Sequence, residues 1–145
     1  MLRIASSALT VLLLLIAGIG PAAAEYPERP LTILTGYPAG GMVDIVAHFD
    51  LARHFVSVHG AEPGGRFDAK ADLLAHLVGT GVIRPDAAIM VGDRASDIAA
   101  ARLHGLRSIG ALWGYGDAAE LAGAGADLLC ERPHGLAACV SRLGN

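Results

Sequence analysis

Positive charge is scarce in this chain of 145 residues. Lys and Arg together number 11, against 14 Asp and Glu, and Lys70 is the only lysine. Proteins that bind nucleic acid or anionic lipid attract the phosphate groups with a basic surface. A formal net charge of −3 provides no such surface, so we predict no nucleic-acid partner.

Cysteine is scarce as well, and the two residues present are Cys130 and Cys139. No group of Cys and His residues has the spacing of a zinc site. An exported chain could join two cysteines in a disulfide, but we favour the interpretation that both are buried free thiols.

The sequence has one long hydrophobic run, and it lies at the N-terminus. Residues 4–24 follow Arg3 without a single charge and end in helix breakers and small residues. This pattern predicts a secretory signal peptide over residues 1–24. An uncleaved membrane anchor is the alternative, because the run is just long enough to span a bilayer, but the helix breakers favour cleavage. We therefore predict a mature chain that begins at Glu25, is periplasmic or secreted, and has no membrane contact after cleavage.

From Leu31 onward, stretches typical of strands alternate with stretches typical of helices. This alternation predicts an α/β fold with a parallel, three-layer sheet. The small and apolar residues 87–91 predict a strand that is buried on both faces. Asp93 would lie at the carboxyl end of that strand, where open α/β sheets bind their ligands, and Asp97 in the first turn of the next helix.

Two interpretations of these carboxylates remain open on spacing alone. Side chains of Asp93 and Asp97 that converge at the end of a strand form a hard-oxygen site, which suits Mg²⁺ with several of its waters retained. Alternatively, Asp93 caps the following helix and Asp97 complements the partial positive charge of its N-terminus.

The beginning of the predicted mature chain carries two short motifs. They are Tyr26-Pro27-x-Arg29-Pro30 and Tyr37-Pro38-Ala39-Gly40-Gly41-x-x-Asp44-Ile45-Val46-Ala47. In these motifs residues 25–48 resemble the start of tripartite tricarboxylate transporter solute-binding proteins. The resemblance implies a periplasmic origin and a loop that helps to hold a carboxylate ligand, so an exported fragment of such a protein is the alternative function. A binding protein of this type needs two lobes of about 100–150 residues each, more than this chain supplies.

Residues 49–145 carry a second set of motifs. These are Gly60-x-Glu62-x-x-Gly65-x-x-x-x-Lys70, Val91-Gly92-Asp93-Arg94-x-x-Asp97, Ala101-Arg102-x-x-Gly105-x-x-Ser108-Ile109-Gly110, Trp113-Gly114-Tyr115-Gly116 and Gly125-Ala126-Asp127-x-Leu129-Cys130-Glu131. In their order and spacing they resemble the haloacid-dehalogenase (HAD) superfamily, most closely its phosphoglycolate-phosphatase-like members. The resemblance implies a Rossmann-like HAD domain and Mg²⁺-dependent hydrolysis of a phosphate monoester on a phosphorylated small molecule.

The same resemblance implies roles for individual residues. Lys70 would clamp the phosphate, and Asp93 and Asp97 would be the acidic residues of the metal motif, which places the metal interpretation ahead of the helix cap. A phosphoryl transition state spreads negative charge over its oxygens, so a lysine and a divalent ion suit it. Arg94 could also reach the phosphate, with a solvated arginine as an equally favoured interpretation.

Parts of the HAD pattern are missing from this sequence. The nucleophile motif Asp-x-Asp-x-Thr/Val is absent, because the predicted strand Leu31–Thr35 is followed by Gly36-Tyr37-Pro38. The Ser or Thr of the second motif and the cap domain are absent too. Covalent phosphoryl transfer has no first step without a nucleophile, so we predict a truncated HAD-like domain that is inactive alone.

Two further predictions concern how this chain is put together. We expect Leu31–Thr35 to occupy the position of the nucleophile strand, beside the strand that precedes Asp93, because that strand would otherwise expose an apolar edge. The change of family near Ala47–Phe49 suggests a joined or truncated reading frame.

Overall fold

The computed structural model describes residues 31–62 and 67–144, so the predicted signal peptide lies outside the described residues. The strands are β1 Leu31–Pro38, β2 Phe55–Ala61, β3 Ile89–Gly92, β4 Arg107–Ala111 and β5 Leu128–Cys130. The helices are α1 Ala39–His48, α2 Lys70–Gly79, α3 Ala95–Leu103, α4 Ala118–Ala124 and α5 Leu136–Gly144. Among these residues, none of the helices combines the length and apolar character needed to cross a membrane.

Every strand pair within the described ranges is parallel. Strand β1 pairs with β2, and β3, β4 and β5 form a second sheet in that order. Parallel strands that alternate with helices confirm the predicted α/β class, although the strands form two sheets rather than one.

The prediction that Leu31–Thr35 lies beside the strand of Asp93 is wrong. Strand β1 is hydrogen-bonded to β2, from Leu31 opposite Phe55 to Pro38 opposite Ala61, and β3 is the end strand of the other sheet. Strand β1 has eight residues, β2 has seven and β3 has four. Pairing with β2 therefore satisfies more of the backbone donors and acceptors of β1 than pairing with β3 would.

Strand β3 is less buried than the sequence predicts. None of its four residues is fully buried, and Val91 is 38% exposed. An end strand lacks a strand neighbour along one edge, and this leaves its side chains accessible to solvent.

A hydrophobic core connects the two sheets. Its buried members come from α2, α3 and the approach to β4, and they are Leu74, Ala100, Ala101 and Leu106. Leu34 of β1 and Met90 of β3 both pack against this cluster. The two sheets therefore share one set of helices, although no strand ladder joins them within the described part of the chain.

Helix α2 buries one apolar face and begins without a side-chain cap. Leu73, Leu74 and Leu77 are buried, as their helical spacing indicates. Asp68, a residue type that often caps helices, is not at the cap position, because the helix begins at Lys70 and Ala69 precedes it without a side-chain bond to the helix.

The two cysteines are free thiols, as predicted, but only one is fully buried. Cys130 at the end of β5 is buried, and Cys139 on α5 is half-buried. Partial burial, followed by the nearby thiol of Cys130, raises the pKa of Cys139.

Leu103, at the end of α3, lies outside the core although its side chain is large and apolar. It is 71% exposed, whereas Ile98 on the same helix is fully buried. We expect Leu103→Ala to change the free energy of unfolding by less than about 0.5 kcal/mol, measured by urea denaturation and circular dichroism. Ile98→Val is the matched control and should cost about 1 kcal/mol. A larger loss in Leu103→Ala than in the control would contradict the exposed position.

Candidate functional site

The turn between β3 and α3 places two carboxylates next to each other. Asp93 follows β3 directly, and Asp97 lies in the first turn of α3. One carboxylate oxygen of Asp97, Oδ2, accepts hydrogen bonds from the backbone N–H groups of Asp93 and Arg94, each at 3.2 Å. These bonds satisfy donors at the helix start and fix the Asp97 side chain against the turn.

Lys70 reaches this turn from α2, where it is the first residue. Its Nζ donates to the other carboxylate oxygen of Asp97, Oδ1, at 2.6 Å. The Asp97 side chain is only 3% exposed and that of Lys70 is 31% exposed. A carboxylate this deeply buried needs a charged partner, so the ion pair fixes Lys70 beside the carboxyl end of β3. Lys70, Asp93 and Asp97, predicted as site residues from the sequence, are thus brought together.

A loop after β4 holds Asp93 from the opposite side. The backbone N–H of Tyr115 donates to the Asp93 carboxylate oxygen Oδ2 at 2.9 Å, and the N–H of Gly116 donates to the Asp93 carbonyl at 2.8 Å. Within the described residues, no hydrogen bond is made to the remaining carboxylate oxygen, Oδ1. Oδ1 therefore keeps all of its acceptor capacity for a ligand.

Three glycines allow the backbone to approach the two carboxylates this closely. A Cβ on Gly92 would overlap the side chain of Asp97, one on Gly114 would overlap that of Asp93, and one on Gly116 would overlap the Asp93 carbonyl. In the sequence this loop is recognised only as one of the family motifs, and its contacts with Asp93 are not predicted. The repeated glycine in Trp113-Gly114-Tyr115-Gly116 was the signal for such a close approach.

Arg94 is directed to a partner on another helix. Its Nε donates to Oε1 of Glu120, on α4, at 2.9 Å, and the Arg94 side chain is 56% exposed. This hydrogen bond is the main cause of a raised pKa for Arg94. A role for Arg94 in phosphate contact therefore stays a prediction, and of the four predicted site residues it has the least support from the geometry.

The carboxylate oxygens at this edge of the sheet fit one of the ways in which proteins hold Mg²⁺. Both oxygens of Asp97 already accept hydrogen bonds from the protein, and the described residues contain no group of three or more His, Cys, Asp or Glu side chains placed to hold a metal. Magnesium is commonly held by one or two carboxylates, with waters and substrate phosphates as its other ligands. The site fits that mode through Oδ1 of Asp93. Metal binding by Asp97 stays a prediction, because both of its oxygens are bonded to Lys70 or to the turn.

Comparison with known proteins identifies the same region. The HAD-hydrolase-like family matches residues 66–136. The chain is 34% identical over 103 residues to the tyrosine-protein kinase PtkA of Mycobacterium tuberculosis, covering 70% of this chain and 35% of the relative. It is 34% identical over 101 residues to a phosphoglycolate phosphatase of Chromobacterium violaceum, covering 70% of this chain and 44% of that protein.

A solved structure shares the fold. The crystal structure of a predicted phosphatase from Clostridium acetobutylicum is similar with a TM-score of 0.73 and 31% sequence identity, over 78% of this chain and 52% of the other. The present chain thus spans less than half the length of the two curated relatives and about half that of the solved phosphatase. The matched segment, the parallel α/β fold and the phosphoglycolate phosphatase homologues together show that residues 66–136 lie in a HAD-like hydrolase domain.

Proposed function

We propose that this chain binds the phosphate group of a phosphorylated small molecule, together with Mg²⁺, at the carboxyl end of β3. The observation that carries the proposal is the 2.6 Å ion pair between Nζ of Lys70 and Oδ1 of Asp97. It places the only lysine of the chain beside the turn that carries Asp93, whose Oδ1 accepts no hydrogen bond from the described residues. A cation and an available carboxylate oxygen at the end of a parallel strand suit a phosphate with a divalent ion.

Each of the three residues has a distinct task in this proposal. Lys70 contributes a positive charge that faces the phosphate oxygens. Asp97 orients Lys70 and pins the backbone of the turn, and Asp93 offers one oxygen to the metal. Bound Mg²⁺ would supply further positive charge against the phosphate oxygens.

The proposal does not extend to hydrolysis by this chain alone. Phosphatases that the motifs resemble use an aspartate to attack the phosphorus, and the motif Asp-x-Asp-x-Thr/Val that carries it is absent from this sequence. Without an attacking group the residues at β3 can bind and orient a phosphate but cannot form the covalent intermediate. Cleavage of the predicted signal peptide would place this binding activity outside the cytoplasm.

Isothermal titration of the purified chain with inorganic phosphate tests the proposal. We expect phosphate binding that strengthens when Mg²⁺ is present, because the metal and Lys70 share the negative charge of the ligand. Asp93→Asn should remove the Mg²⁺ dependence, since the neutral amide is a poorer metal ligand than a carboxylate. p-Nitrophenyl phosphate should not be hydrolysed.

Two outcomes would contradict this proposal, in different ways. Absence of phosphate binding at millimolar concentration, with the protein folded by circular dichroism, would refute the binding function. Hydrolysis of p-nitrophenyl phosphate that disappears in Asp93→Asn would show that this site hydrolyses phosphate esters, and would refute the predicted inactivity.

A further inference from the structure

Glu120 makes contacts that its local sequence does not predict. Asp117 and Glu120 have the spacing of a capping box, in which the Glu side chain bonds back to the start of its own helix. The Asp117 half is present, because Oδ1 of Asp117 accepts from the backbone N–H of Glu120 at 2.7 Å. The Glu120 carboxylate instead crosses to α3, where Oε1 accepts from the backbone N–H of Ala95 at 2.8 Å and from Nε of Arg94 at 2.9 Å.

With these bonds, consecutive backbone N–H groups of the turn all donate to carboxylate side chains. The N–H groups of Asp93 and Arg94 donate to Asp97, and the next N–H, that of Ala95, donates to Glu120. Three consecutive amides of the turn are therefore held by two carboxylates. The segment leading to α4 also holds Asp93 directly, so Glu120 anchors the turn to the same part of the chain that positions the Asp93 carboxylate.

The charge of Glu120 also determines which acidic side chain Arg94 pairs with. The hydrogen bond and the attraction to Glu120 raise the pKa of Arg94, with smaller contributions from Asp93 and Asp97. The bond from Ala95, followed by that from Arg94, lowers the pKa of Glu120. Without Glu120, the guanidinium of Arg94 would have Asp93 and Asp97 as the nearby acidic groups, and pairing with Asp93 would compete with a metal ion.

We infer that Glu120 is a positioning residue for the metal and phosphate site: it fixes the Asp93 turn and keeps Arg94 paired away from the two carboxylates. The inference rests on the proposed function, because it assigns Glu120 a task in the same site. Glu120 touches neither the metal nor the phosphate in this assignment and acts through Arg94 and the backbone.

Mg²⁺ titration of the full chain by calorimetry separates this role from a general effect on folding. Residues that hold metal ligands in place typically change metal affinity on the order of tenfold or more when replaced, and we expect a loss of about tenfold in Glu120→Ala. Glu120→Gln keeps an acceptor for Ala95 and should lose less. Removing Arg94 as well, in the double variant Arg94→Ala/Glu120→Ala, should restore part of the affinity. Glu131→Ala, at an exposed acidic residue after β5, is the matched control and should bind like the wild type.

Amide hydrogen exchange at Ala95, measured by NMR without ligand, tests separately whether Glu120 fixes the turn. Glu120→Ala should expose this amide to exchange and Glu120→Gln should retain most of its protection. Unchanged exchange in Glu120→Ala, or a double variant that binds Mg²⁺ no better than Glu120→Ala, would overturn the inference while leaving the proposed function intact. A wild type that binds no Mg²⁺ would overturn the proposed function and with it the role of Glu120.

Discussion

Lys70→Met is expected to weaken phosphate binding by roughly tenfold to 100-fold, the range of a lost hydrogen bond to a charged group. Methionine retains much of the aliphatic stem but removes the ammonium that Oδ1 of Asp97 accepts from at 2.6 Å. The same change should lower the free energy of unfolding by about 2 kcal/mol, because it leaves a buried carboxylate with one uncompensated oxygen. The figure is below that of a fully buried pair, since the Lys70 side chain is 31% exposed.

Two matched variants test the cause of this loss. Arg84→Met breaks the ion pair between Arg84 and Asp86, which has the same 2.6 Å separation but is exposed on both sides, and should not measurably change stability. In the double variant Lys70→Met/Asp97→Asn the buried charge is gone. Its loss of unfolding free energy should therefore be smaller than the sum of the two single-variant losses by about 1 kcal/mol or more. Urea denaturation that shows strictly additive losses would contradict the ion pair as the source of the effect.

Gly92→Ala is expected to damage both the fold and the site. The added methyl group would overlap Cβ of Asp97 and lie 2.7 Å from its Cγ and Oδ2. Relief requires that the Asp97 side chain move, and with it the bonds to Lys70 and to the two backbone amides. We expect a loss of about 3 kcal/mol in the free energy of unfolding, the upper end for overpacking, and loss of Mg²⁺-dependent phosphate binding. Denaturation and calorimetry measure the two effects.

The control for this substitution is Gly123→Ala. A Cβ on Gly123, within α4, would meet no atom within 4 Å, so alanine should stabilise the helix by about 0.5–1 kcal/mol. A Gly92→Ala variant that is as stable as the wild type and still binds phosphate would show that the close contact between Gly92 and Asp97 is not required.

The sequence predicts those parts of this structure that depend on local pattern. Alternating strand and helix stretches indicate a parallel α/β fold, and the spacing in α2 identifies its buried leucines. The carboxyl-end rule places Asp93 at a ligand-binding edge, and the family motifs add Lys70, which is 23 positions earlier in the chain. The structure then supplies what neither argument contains, namely that Lys70 binds Asp97.

The remaining features depend on contacts between distant segments. Local propensity identifies Leu31–Thr35 as a strand but does not state its partner, and the longer ladder available on β2 decided the pairing. The incomplete burial of Val91 follows from that choice, because it leaves β3 at the end of its sheet. The spacing of Asp117 and Glu120 favours a bond from Glu120 to its own helix, and only its position opposite Ala95, 25 residues away, gives it a different partner.

The loop that holds Asp93 also carries the only tryptophan of the protein, Trp113, which is 41% exposed. Its neighbour Gly114 packs against the Asp93 side chain, and the next two amides bond to Asp93. The indole therefore lies on the same short loop that contacts and hydrogen-bonds the candidate metal ligand. Tryptophan fluorescence should therefore change when Mg²⁺ binds at Asp93, with no interfering signal from a second indole. The protein thus contains its own fluorescent reporter of metal binding.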